Sequence, residues 1–121
     1  RDFTYIDDIV KGVIKTLDNP STSDIDWNSI KPDPATSKVP WRVYNIGNNK
    51  PVQLMDYIKA IEIKLNKKAL INFLPLQPGD VPDTFANVEN LEKKFNYKPS
   101  TSVIDGVSNF VEWYKDYYEL S

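Results

Sequence analysis

The chain contains no histidine and no cysteine. Without histidine, it lacks the side chain that most often moves protons near neutral pH. Without cysteine, it has neither disulfides nor thiolate chemistry, which is compatible with a cytoplasmic home. The two absences together leave a metal-dependent hydrolase few ligands to draw on. Of 15 basic residues only Arg1 and Arg42 are arginines, so forked recognition of an anion has two candidates. The four glycines, Gly12, Gly47, Gly79 and Gly106, are isolated, and no glycine-rich dinucleotide loop lies within these residues. No apolar run approaches ~20 residues, so no membrane span is expected. A net charge of −2 gives no reason to expect a nucleic-acid partner.

What is present suits a globular domain. At 121 residues, with 40% apolar and 26% charged side chains, there is room for one domain. Arg1 to Tyr5 reads as a short extended stretch, Phe3, Thr4 and Tyr5 all being favourable in strands. Ile6, Ile9, Val10, Val13, Ile14 and Leu17 then fall on one face at the helical period. Asp7 and Asp8 occupy the first turn of that helix, where the macrodipole favours negative charge. Complementing the dipole is the expected role of both. Asn19-Pro20 ends the helix. Residues 21–40 show no period and are rich in Pro, Ser, Asp and Lys. A surface loop is expected there, pinned to the body by Trp27 and Ile30.

Trp41 to Ile46 reads as a strand closed by Gly47-Asn48-Asn49. Pro51 is expected at or beside the start of a second helix, with Leu54, Ile58, Ile61 and Leu65 on one face and Asn66 at its end. Residues 98–102 make a turn and a cap. The last helix carries Val107, Phe110, Val111, Tyr114 and Tyr117 on one face, while Trp113 and Tyr118 fall off it and are free to cover a neighbouring surface.

Between these helices lies the most informative stretch, Leu74 to Pro99. Pro75, Pro78 and Pro82 each fix φ and withhold a backbone donor. Pro78-Gly79-Asp80 is a strong turn signal, because proline sets the first corner and glycine accepts the positive φ of the next. Thr84-Phe85-Ala86 reads as a further short strand, and Asn87 or Asn90 can cap a helix carrying Leu91 and Phe95. A corner this stiff holds the Asp80 carboxylate at a fixed place.

Two blocks carry a resemblance. Gln77-Pro78-Gly79-Asp80-Val81-Pro82-x-Thr84-x-Ala86-Asn87, followed by Leu91 and Phe95-x-Tyr97-Lys98-Pro99, is similar to the C-terminal lobe of nucleotide-sugar epimerases of the extended short-chain dehydrogenase/reductase family. The UDP-glucuronate 4-epimerases resemble it most. Arg1-Asp2-Phe3-Thr4-Tyr5-Ile6-Asp7-Asp8 matches the Arg-Asp-Phe block of the same family.

The resemblance implies an α/β substrate-binding lobe over residues 1–121, with short strands and about four helices. It implies that Arg1 reaches the substrate diphosphate and that Asp80 accepts the ribose hydroxyls of UDP. Gln77 stands where UDP-galactose 4-epimerases carry a phosphate-gripping arginine, and Thr84 maps to a residue lining the sugar pocket. It further implies a parent enzyme that turns UDP-glucuronate into UDP-galacturonate with NAD, held by an N-terminal Rossmann domain outside these residues, and that dimerises through that domain. The family abstracts the sugar hydroxyl proton with a Tyr-x-x-x-Lys pair, and no tyrosine here is followed four residues later by lysine. These residues alone are therefore expected to be catalytically silent. Opening on Arg1 without a methionine, the sequence reads as a piece of a longer protein. Two other readings stay open: a sibling enzyme (UDP-glucose 4-epimerase, UDP-glucuronate decarboxylase or a nucleotide-sugar dehydratase), or a non-catalytic interaction module using the aromatic surface of the last helix.

Overall fold

The computed structural model describes residues 1–120. Its regular elements are four helices, α1 (Ile6–Leu17), α2 (Leu54–Leu65), α3 (Glu89–Phe95) and α4 (Val103–Tyr117). Each ends as its residues dictate. Asn66 and Asn96 close α2 and α3 with φ of 51° and 46°, the left-handed conformation asparagine tolerates best after glycine. Ser102 caps α4 by accepting the Asp105 N–H at 3.1 Å, and its hydroxyl donates to the Asp105 carboxylate in return. At α3, Asn87 Oδ1 accepts the Glu89 N–H at 2.9 Å. Pro51 stands outside α2, whose N-cap is Gln53.

Among the described residues there is no strand, and the expected short strands are corrected accordingly. Residues 41–46 and 83–88 nonetheless alternate exposed and covered side chains with the period of two that extended backbone imposes. What is missing is the ladder. Arg1 and Val52 exchange one reciprocal pair of backbone hydrogen bonds, at 2.9 and 2.8 Å. Other ties between the extended segments run through side-chain oxygens: Thr84 Oγ1 accepts Asp2 N–H at 3.0 Å, and Thr4 Oγ1 accepts Asn48 N–H at 3.1 Å. A backbone donor satisfied by a hydroxyl or carboxylate no longer needs a neighbouring carbonyl.

Packing follows two helix pairs, α2 with α4 and α1 with α3. Val88 and Leu91 at α3, and Val107 and Val111 on α4, form the buried apolar core, and Pro99 is buried as well. Helices α2 and α4 pack along their lengths, joined at the rim by the Lys64–Glu112 ion pair. The segment 21–40 is irregular. It is tethered by Asp24 N–H to Ser37 O at 2.8 Å and Val43 N–H to Ala35 O at 3.0 Å. Trp27 is held within the loop, donating from Nε1 to Asp33 O, whereas Ile30 is 92% exposed and pins nothing.

The apolar stripe of α1 does not face this core. Ile6, Val10, Val13, Ile14 and Leu17 all stand exposed, and the covered side of the helix is the one bearing Asp8 and Gly12. Leu70, Phe73, Leu74, Leu76 and Phe85 are exposed as well. The accessible surface is 9530 Å². A compact monomer of 13.9 kDa exposes ~6,700 Å², about 2,900 Å² less.

Candidate functional site

The Arg-Asp-Phe block and the segment that follows the Pro-Gly-Asp corner are joined through Asp2. Its carboxylate accepts three backbone N–H groups: Asn49 at 3.1 Å and Ala86 at 3.2 Å on Oδ2, and Lys50 at 3.4 Å on Oδ1. Its own N–H donates to Thr84 Oγ1. One short side chain thus gathers the N-terminal segment, the turn after residue 46 and the segment that follows the corner. Gly47 makes the convergence possible. A Cβ built there would stand 2.5 Å from the Cβ of Ala86 and 2.9 Å from Asp2 Oδ2, so no larger residue fits without backbone movement.

The first turn of α1 supplies a second tie. Asp8, only 4% exposed, accepts the N–H groups of Ser100 and Thr101 at 3.1 and 2.9 Å, and its backbone carbonyl accepts the Tyr97 hydroxyl at 2.6 Å. Burial pushes its pKa up. Hydrogen bonds from Thr101 and Ser100, with the charge of Lys11, outweigh burial and hold the carboxyl below the ordinary carboxylate value. Asp7 keeps the exposed first-turn position expected of a dipole complement, while Asp8 is a buried tether between α1 and the entrance to α4. Burial and the charge of Asp8 together raise the pKa of Tyr97.

The structure places each residue singled out in the sequence. Arg1 is partly covered and sits beside Thr84, because Asp2 binds the Thr84 hydroxyl. That hydroxyl already accepts a backbone proton. Residues 77–80 form the turn their types demand: Asp80 N–H donates to Gln77 O at 3.1 Å, and Gly79 adopts φ +92°. A side chain at position 79 would meet nothing within 4 Å, so glycine is needed for its φ and not for space. Gln77 turns its amide back onto Pro75 O at 3.3 Å. The corner is fully exposed. Among the described residues, neither the Arg1 guanidinium nor the Asp80 carboxylate has a charged partner. Thr84 is thus brought against the Arg1 segment, and Asp80 is carried four residues upstream on a stiff, solvent-facing turn.

Asp2 and Gly47 are the residues whose importance the sequence reading missed. Asp2 belongs to the recognised block, but nothing local distinguishes a carboxylate that will collect three amides from distant segments. Gly47 sits before two asparagines and reads as an ordinary turn glycine. Its constraint comes from Ala86, 39 residues on. No group of three or more Asp or Glu side chains able to hold a metal ion occurs among the described residues.

No family model matches the chain. Individual relatives do. Protein CapI of Staphylococcus aureus is 50% identical over 119 residues, which cover 98% of this chain and 36% of the relative. UDP-glucuronate 4-epimerase 2 of Arabidopsis thaliana is 41% identical over 120 residues, 98% of this chain and 26% of the relative. A crystal structure of a UDP-glucuronic acid 4-epimerase variant from Bacillus cereus, in complex with UDP-4-deoxy-4-fluoro-glucuronic acid and NAD, superposes with a TM-score of 0.73. It is 28% identical and covers 98% of this chain and 32% of that one. The chain spans between about a quarter and a third of the length of these relatives. It is similar along nearly its whole length to UDP-glucuronate 4-epimerases, and it corresponds to the C-terminal part of an epimerase/dehydratase of that group.

Proposed function

We propose that these residues are the nucleotide-sugar-binding lobe of an NAD-dependent UDP-glucuronate 4-epimerase, and that their task is to anchor UDP. The observation that carries the reading is the likeness of 98% of the chain to UDP-glucuronate 4-epimerases. Arg1 and Asp80 are each without a charged partner among the described residues, and Asp2 ties the Arg1 segment to Thr84, four residues after Asp80. Arg1 offers a guanidinium fork, which matches diphosphate oxygens. Asp80 offers carboxylate oxygens, which accept the paired hydroxyls of a ribose. Thr84 lies next to Arg1, and Gln77 stands at the base of the corner with an amide that can turn from Pro75 O toward a phosphate.

The residues present do not fit NAD. The glycines are isolated and no Tyr-x-x-x-Lys pair occurs, so the cofactor and the proton-transfer groups belong to polypeptide beyond these residues. The exposed α1 stripe and the surplus of about 2,900 Å² over a compact monomer are what a lobe shows when its natural cover is another domain. The division of labour is physically economical. A fixed grip on the nucleotide provides binding energy, while the sugar ring remains free to present either face. A cytoplasmic, homodimeric parent acting in cell-surface polysaccharide synthesis completes the proposal. No helix among the described residues is long and apolar enough to cross a membrane.

The test is product analysis. The protein extended to the length of its relatives, supplied with NAD and UDP-glucuronate, is expected to give UDP-galacturonate. A pentose product would point to the decarboxylase sibling, and a lack of turnover of any UDP-sugar would overturn the enzymatic reading.

A further inference from the structure

The segment 21–40 plays no part in the proposed nucleotide anchor, yet it builds one wall of a cleft. This cleft, about 360 Å³, lies between that segment, the extended residues 42–44 and α3. Arg42, Lys93 and Lys94 line it, opposed by a single carboxylate, that of Asp33. We propose that it binds a small phosphate-bearing anion, held by Arg42 and Lys94.

The cations differ in how far they are already engaged. Lys93 Nζ is held by Glu89 at 3.0 Å. Lys94 has no carboxylate partner among the described residues. Arg42 holds Asp24 only loosely, Nη2 to Oδ2 at 4.0 Å, and donates one Nη1 proton to Trp41 O, which leaves it further N–H donors for an anion. Its side chain is 20% exposed, and a partly desolvated guanidinium attracts an anion more strongly than one in open water. Asp33, whose Oδ1 accepts the Ala35 N–H at 2.8 Å, offsets one of the three cations, so the lining keeps a net positive charge. Thr36, in the same wall, carries a buried hydroxyl without a partner among the described residues.

The wall is fixed. Asp24 to Ser37 and Val43 to Ala35 backbone hydrogen bonds hold the loop against residue 42, so Arg42 is presented from a tethered segment. A planar fork beside a lysine suits a phosphate, which the fork grips along two oxygens while the ammonium neutralises a third. Arg1, Gln77 and Asp80 do not line this cleft, so the inference is independent of the UDP reading.

Titration of the isotope-labelled chain with inorganic pyrophosphate at constant ionic strength, followed by amide chemical shifts, tests it. Saturable shifts are expected at Ala35, Thr36, Val43, Lys93 and Lys94. Lys94→Ala, at an exposed helix position, should weaken binding about fivefold. Arg42→Lys should weaken it about tenfold, since a point charge cannot replace the fork. Lys67→Ala should leave it unchanged. Shifts that fail to saturate, that spread evenly to surface lysines such as Lys67 and Lys68, or that survive both Lys94→Ala and Arg42→Lys would overturn the proposal.

Discussion

Asp2 and Ala86, 84 residues apart in the chain, are joined by a hydrogen bond from the Ala86 N–H to Asp2 Oδ2 at 3.2 Å. The same oxygen accepts the Asn49 N–H, so one carboxylate sets the distance between three segments that no β-ladder connects.

Removal of that carboxylate is therefore expected to cost stability out of proportion to its size. Asp2→Ala leaves three backbone donors without their acceptor and should lower unfolding free energy by about 2–3 kcal/mol. Asp2→Asn keeps one acceptor oxygen and should cost about half as much. Urea denaturation of the three proteins measures both. Near-equal stability of Asp2→Ala and the parent would show that water satisfies these amides equally well.

Gly47→Ala tests the same junction from the other side. The added methyl would meet Ala86 Cβ at 2.5 Å and Asp2 Oδ2 at 2.9 Å, and neither can swing away as the end of a long side chain could. A loss of about 1–3 kcal/mol is expected, with shifted amide resonances at Asn49 and Ala86. Gly79→Ala provides the contrast. With φ +92° and open space around it, the cost is backbone strain of about 1 kcal/mol confined to the corner.

These two junction residues also mark where sequence reasoning stopped. The helices were legible because their signals are local. Apolar spacing, Asn66 after α2, Ser102 before α4 and the Pro78-Gly79 corner all act within a turn or two of the residues that reveal them. The expected strands failed for a non-local reason. Trp41–Ile46 and Thr84-Phe85-Ala86 have strand-like residues and strand-like burial, and Phe3-Thr4-Tyr5 has strand-like residues, but no ladder joins them among the described residues. The ties between their segments run through the oxygens of Asp2, Thr4 and Thr84, which accept the N–H groups of Ala86, Asn49, Asn48 and Asp2. The α1 stripe misled in another way. Its period correctly gave a helix, but periodicity says which face is apolar and not what covers it, and here the described residues leave it open.

Acidification should act through Asp8. Its carboxyl is held below its ordinary value in the folded chain, so the folded state binds its proton less readily than the unfolded state. Its stabilising contribution is complete above the unfolded value of about 4 and is lost as pH falls through the lower folded value. Stability measured from pH 6 downward should thus decline in the acid range for the parent, and Asp8→Asn should start lower and decline less. A parallel decline in both would assign the acid sensitivity to other carboxylates.

The central claim is that Arg1 and the Asp80 corner together anchor UDP, and amide-shift titration of this chain with UDP tests it most directly. Two or three charge-assisted contacts, each about 1.5–3 kcal/mol, total about 3–9 kcal/mol against an association cost of about 4–15 kcal/mol and leave little or no surplus, so binding should be millimolar or weaker. The account predicts shifts centred on residues 77–80, Asp2 and Thr84, abolished by Asp80→Ala. Unchanged binding in Asp80→Ala, or saturation at residues remote from both Arg1 and the corner, would contradict it.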